Sequence, residues 1–100
     1  MIFTYRLDAD KNPVLCDFSE YVQFLNNREN LIQKTEMKGH CISTVFLGLT
    51  SFFETSVFCG DEIIWTAMDN SFQKSIDSHE IACKMVNDKR SVDLWIKNLL

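Results

Sequence analysis

Between Ile42 and Gly60 the chain carries a single charge, Glu54, in the run ISTVFLGLTSFFETSVFCG. No other segment restricts the fold so strongly. A membrane-spanning helix needs about 20 residues free of charge, and here Glu54 sits mid-run beside Thr50, Ser51, Thr55 and Ser56. Gly48 and the Thr50-Ser51 pair suit a turn in a sheet. The β-branched and aromatic content therefore reads as two strands, Cys41–Leu49 and Phe52–Cys59. Cys59-Gly60-Asp61-Glu62 is the next hairpin turn, with Gly60 free to take positive φ. Glu62–Met68 is the third strand of this meander.

The flanks supply the remaining elements. Ile2–Leu7 alternates bulky and polar residues and reads as a strand. Asp8–Pro13 is a turn by composition, since Asp and Asn bond their own backbone and Pro13 pre-sets φ; Val14–Cys16 is a short paired continuation. Asp17 with Glu20 has the form of a capping box. It opens a helix whose stripe is Phe18, Tyr21, Val22 and Leu25, ended by Asn26-Asn27-Arg28-Glu29-Asn30. Leu31–Met37 alternates weakly, as an edge strand does, with Lys34 and Lys38 discouraging further pairing. Asn70 with Gln73 marks a second helix, with Phe72, Ile76, His79, Cys83 and Val86 on one narrow face. Ser91 caps a last short helix on Val92, Trp95, Ile96 and Leu99. The expected fold is a single α+β domain over residues 1–100. An antiparallel sheet of four or five strands carries two or three packed helices, in the order β-α-β-β-β-β-α-α.

Composition removes several functions. One hundred residues at 46% hydrophobic content, with eight Phe, suffice for one core. The net charge of −4 has the wrong sign for direct nucleic-acid binding, and no acidic run is dense enough for a DNA-mimic surface. The start of the chain lacks the basic-then-apolar pattern of a leader. The expectation is a cytoplasmic location without membrane contact, with Cys16, Cys41, Cys59 and Cys83 as reduced thiols.

Each candidate for chemistry has a plainer alternative. His79 and Cys83 stand four apart on one helical face, a spacing able to clamp a metal, with His40, Cys41 and Cys59 as further donors. No tight Cys-x₂-Cys pair supports that, and buried Cys commonly serves as a small hydrophobe. As a nucleophile, Cys83 beside His79 lacks a third residue to orient the imidazole, and a thiol on an apolar face is poorly activated. Asp8, Asp10 and Asn12 copy the opening of a calcium loop, but Pro13 and Ser19 stand where Gly and Glu are required. Phosphate loops and nucleophile elbows are absent. The expectation is no catalytic residue, no metal and no cofactor. Glu54 remains: facing the core it requires a partner, and pointing outward, the commoner fate of Glu, it requires none.

The meander is apolar on both sides. Ile42, Phe46 and Gly48 point one way, while Val45, Leu47 and Leu49 point the other. A sheet wetted on one face alternates apolar with polar, so the second face calls for a cover: helices on both sides, another copy of the chain, or a partner. The candidate interaction residues are Phe46, Phe52, Phe53, Glu54, Phe58 and Trp65.

The same segment resembles a family of small uncharacterised phage and prophage proteins marked by STVFLGL, a linker, and FETxVF. Ser43–Leu49 matches the first half, and Phe53-Glu54-Thr55 with Val57-Phe58 matches the second. The connection is shortened here to Thr50-Ser51-Phe52, and Cys59-Gly60 replaces a Gly pair. More loosely, the Asp8–Val14 turn resembles the family's turn before its first helix, and His79 falls near its helical Gly-His. The resemblance implies a phage or prophage setting and a non-enzymatic module binding a host or phage protein. Inhibition of a host defence complex, in the manner of anti-CRISPR proteins, is one form of that function. Two other classes are a self-assembling accessory protein, as a homodimer or larger, and a small-ligand or nucleotide binder with a site under Glu54 and His79.

Overall fold

The computed structural model describes residues 2–88. Its elements are β1 (Thr4–Leu7), β2 (Pro13–Cys16), α1 (Phe18–Asn26), β3 (Leu31–Met37), β4 (His40–Leu47), β5 (Phe52–Cys59), β6 (Glu62–Asp69) and α2 (Phe72–Asn87). The class is α+β, but the order over these residues is β-β-α-β-β-β-β-α. β1 and β2 form their own two-stranded hairpin, and β3-β4-β5-β6 form a four-stranded antiparallel meander. Pro13 opens β2 opposite Leu7, at the first-residue position a proline tolerates in a strand. The short helix expected after Ser91 lies outside the described residues.

Local chemistry sets the connections. Lys38 (φ 49°) and Gly39 (φ 75°) make the two-residue β3–β4 turn, where positive φ at both positions matches the twist of the flanking strands. Gly60 (φ 62°) does the same work between β5 and β6. Asp8 Oδ1 accepts from the backbone N–H of Asp10 and of Asn12, both at 2.9 Å, closing the β1–β2 loop. Asp17 caps α1 by accepting from Glu20 N–H at 2.8 Å. The capping box is only half made, because the Glu20 carboxylate pairs with Arg6 at 3.2 Å. The cap of α2 is Ser71 rather than Asn70: its hydroxyl accepts from Lys74 N–H. Lys38 Nζ donates to Asn87 O at 2.8 Å, tying the β3–β4 turn to the end of α2.

Both described helices lie on one side of the meander. α2 packs Ala82 and Val86 onto Ile42 and Val57, with Met37, Ile64 and Trp65 around them. α1 brings Phe24 edge-on to Phe46, ring centroids 6.0 Å apart. Phe46 meets Phe53 at 5.1 Å, and Phe53 meets Phe72 of α2 at 6.3 Å. Two buried clusters thus share the face on which Ile42↔Val57 and Phe46↔Phe53 are direct cross-strand pairs. Register slips place Ile32 and Ile64 as extra residues, one in each edge strand, and both pack into these clusters. A bulge lets successive residues lean the same way, which breaks simple alternation.

The hairpin is fastened to the end of β4 by Gly48. Tyr5 N–H donates to Gly48 O at 2.8 Å, and the Tyr21 ring lies over the glycine. A Cβ at position 48 would stand 2.7 Å from Tyr5 O, so this junction admits only a hydrogen there.

The helical stripes differ from expectation in one respect. Phe24 is the buried residue of α1, whereas Phe18 is 70% exposed. The face toward the sheet is rotated because Phe46 offers the ring contact to Phe24. In α2 the residues nearest the sheet are Ser75, His79, Ala82 and Val86, with Phe72, Ile76 and Cys83 beside them. Small side chains at 75 and 82 let the helix approach closely enough for His79 to reach the strands.

Candidate functional site

Three features carry polar or exposed apolar chemistry: a buried imidazole network, the far face of the meander, and a patch at the hairpin. The network sits between α2 and the sheet. His79 is fully buried. Its Nε2 lies 2.9 Å from Thr35 Oγ1 and its Nδ1 2.8 Å from Thr44 Oγ1. Thr44 is also 2.7 Å from its cross-strand partner Thr55. A neutral imidazole has one donor and one acceptor nitrogen; two hydroxyls complete both, and Thr55 extends the chain through Thr44. Burial lowers the His79 pKa below its ordinary value, since the charged ring gives up water without gaining an anion.

Both His79 nitrogens are occupied by threonines, so the imidazole is not free to activate Cys83 or to bind a metal. Cys41 pairs with Phe58 on the opposite side of the sheet from His79. The His40 Nδ1 lies 2.8 Å from Lys38 O, and Cys59 is exposed. Among the described residues no group of three His, Cys, Asp or Glu side chains is placed to hold a metal ion. No helix among them is long and apolar enough to cross a membrane.

The far face of the meander is the second feature, and no described helix packs on it. The strand pairing lays it out in rows. Leu47 and Phe52 form one end; Val45, Glu54 and Met68 come next; Ser43, Ser56 and Thr66 follow; Cys41, Phe58 and Ile63 close it. Two apolar bands therefore flank a row of hydroxyls, with Glu54 between them. Phe52 is 41%, Met68 50% and Ile63 58% exposed. The Ser56 hydroxyl donates to Glu54 Oε1 at 3.2 Å. The other charges on this face, Lys34 and Glu36 of β3, pair with each other at 3.6 Å. Glu54 has no ion pair among the described residues.

The six expected interaction residues divide between the two faces. Phe52, Glu54 and Phe58 lie on the uncovered side. Phe46 and Phe53 are buried under the helices, and Trp65, paired with Val57, packs against the α2 cluster. Phe46 and Phe53 are thus buried in the core, and Trp65 is partly buried at its edge. Strand parity sets adjacent Phe52 and Phe53 on opposite faces, but with both faces apolar the sequence could not say which of them the helices cover. Leu31, Ile63 and Met68 belong to the same face as Phe52, Glu54 and Phe58; the bulges at Ile32 and Ile64 break the strand parity that would have tied Leu31 and Ile63 to it.

A third feature had no sequence signal. Ile2, Phe3, Leu15, Phe18 and Leu49 are all largely exposed and line an open cleft of about 360 Å³ beside the hairpin. In β1 the alternation runs against polarity: Thr4 is buried and donates to Cys16 O at 2.8 Å, while Phe3 faces out. A larger cleft, about 450 Å³, lies between the β3–β4 and β5–β6 turns, against Lys38, His40, Cys41, Phe58 and Gly60. It opens at the Cys41–Phe58 end of the uncovered face.

No protein-family model, no curated protein and no solved structure matches this chain.

Proposed function

We propose that this chain is a non-enzymatic binding protein that engages another protein through the uncovered face of its four-stranded sheet. The observation that carries the reading is the exposure of Phe52, Ile63 and Met68 beside Phe58 on a face that no described helix covers. Exposed apolar bands on one sheet face mark an interaction site in soluble proteins. The engagement of both His79 nitrogens by hydroxyls supports a structural role for the one buried titratable ring. The STVFLGL and FETxVF segments supply the setting: a phage or prophage protein acting on a host protein, with inhibition of a host defence complex as the concrete form.

The test is affinity capture from bacterial host lysate with three full-length baits. These are the wild type, a Phe58→Asp/Ile63→Asp variant, and a control with Lys74→Glu on the exposed side of α2. The expected result is one host protein retained by the wild type and the control and lost with the double variant. Retention by all three baits, or by none, overturns the reading.

A further inference from the structure

We infer that the partner of the uncovered sheet face is a protein of different sequence that places a basic side chain on Glu54. This rests on the reading of that face as the binding surface and names the chemistry that fills it. Glu54 stands on β5, an inner strand, with Val45 and Met68 as its lateral neighbours. Phe52 and Ser56 flank it two residues away on the same face. It is half-buried already, and anything seated on the face would remove the rest of its water. A carboxylate taken out of water is strongly disfavoured unless a cation or several donors replace the solvent.

The chain offers it little of either. Ser56 gives one hydrogen bond at 3.2 Å, and that hydroxyl also lies 3.5 Å from Thr66 Oγ1. Among the described residues the one base on this face is Lys34, already paired with Glu36. An apolar partner would strand the charge. A partner that inserts arginine or lysine between the two apolar bands satisfies it, with the aliphatic stem of that residue lying against Met68 and Val45. An arginine fork also matches a carboxylate geometrically.

The same charge selects against self-association through this face. A two-fold axis through the middle of the face sets Glu54 against Glu54 of the copy, and sheets packed face to face are only about 10 Å apart. Two carboxylates facing each other in a drying interface repel. The surrounding surface adds to the selection. From β5 through the end of α2 the sequence carries Glu54, Asp61, Glu62, Asp69, Asp77 and Glu80 with Lys74 and Lys84. An acidic balance of this kind attracts basic surfaces to the molecule at long range, and Glu54 is the acid that the meander sets between the two apolar bands.

The experiment selects a random displayed-peptide library against the full-length wild-type protein, then measures the enriched peptides on variants. Enriched peptides are expected to carry Arg or Lys among apolar residues and to bind Glu54→Gln about tenfold or more weakly. Glu54→Lys is expected to reverse the preference toward acidic peptides. An unchanged urea midpoint shows that Glu54→Gln leaves the fold intact. Peptides without basic enrichment, or binding Glu54→Gln equally well, overturn the inference. If they still fail on Phe58→Asp/Ile63→Asp, the face itself survives as the binding surface. Binding indifferent to that double variant overturns the underlying reading as well. A wild type that sediments as a dimer, and as a monomer once Phe58 and Ile63 are changed, assigns the face to a second copy and overturns the inference. So does a Met68 methyl shielded from a soluble paramagnetic agent in the free monomer, which assigns the cover to residues 89–100.

Discussion

Replacing Thr44 by valine keeps the side-chain shape and removes one oxygen, which makes it the cleanest probe of the contact between α2 and the sheet. That oxygen serves both His79 Nδ1, at 2.8 Å, and Thr55 Oγ1, at 2.7 Å. All three residues are fully buried, so water does not replace what is lost. Leaving a buried polar group without its partner costs about 1–3 kcal/mol. The imidazole nitrogen bears that loss in full, while the Thr55 hydroxyl can rotate in search of another acceptor. Together they set the expected destabilisation of Thr44→Val at about 2–4 kcal/mol. Thr35→Val and Thr55→Val each break one link of the chain and are expected to cost about 1–2 kcal/mol. Urea unfolding at pH 7.5 or so, well above the ordinary histidine pKa of about 6.5, measures all three. Removing both sides of the link, in Thr44→Val/His79→Leu, is expected to fall short of the summed single effects by about 1 kcal/mol or more, since no nitrogen is then orphaned. Equal losses for the three valines, or strict additivity in the double variant, refute the reasoning.

Three further outcomes follow from the same geometry. Burial lowers the folded-state pKa of His79 below its unfolded value, so the unfolded chain binds the proton more readily. Its contribution to stability is therefore complete above about pH 6.5 and is lost as pH falls from there toward the folded pKa, at up to about 1.4 kcal/mol per pH unit. The difference between wild type and His79→Leu, measured by urea midpoints from neutral to mildly acid pH, should show that slope; a parallel pair of curves refutes it. Phe53→Ala should destabilise by about 3–5 kcal/mol, whereas Phe52→Ala should stay within about 0.5 kcal/mol, and equal midpoints for the two neighbours would contradict their assignment to opposite faces. Gly48→Ala sets a Cβ 2.7 Å from Tyr5 O, a backbone atom held by its own junction, and is expected to lower stability by about 1–3 kcal/mol in thermal unfolding.

Much of the fold was legible because its signals are local. Gly60, Lys38-Gly39 and Asp8 specify their turns through φ and through side-chain bonds to nearby N–H groups, and Asp17 caps its helix within three residues. The meander strands Leu31–Met37, Phe52–Cys59 and Glu62–Asp69 agree with the sequence reading to within a residue, since β-branched and aromatic side chains favour the extended backbone wherever they pack. The inward set Ile42, Phe46 and Gly48 followed from strand parity. The candidate surface was legible only in part. Of the six candidate residues, Phe52, Glu54 and Phe58 share the face away from the helices, while Phe46 and Phe53 are buried beneath them and Trp65 is partly buried against α2. Bulges at Ile32 and Ile64 displaced the parity count at both edges of the sheet, and neither has a mark in the sequence.

What the sequence determined by itself is which residues share a face in the unbulged strands β4 and β5 and along the helices, because a period of two along a strand and about 3.6 along a helix is a property of the backbone alone. It could not determine which face the helices cover. With apolar residues on both sides of β4 and β5, either side offered comparable burial. The tertiary structure decided it through shape and polarity together: Gly48 admits Tyr21 on one side only, Phe24 meets Phe46 there, and Thr35, Thr44 and Thr55 present hydroxyls that the far-away His79 completes. Those contacts join residues up to 44 positions apart, beyond the reach of any local pattern. The side left over, with Glu54 at its centre, is the surface on which the proposed partner docks.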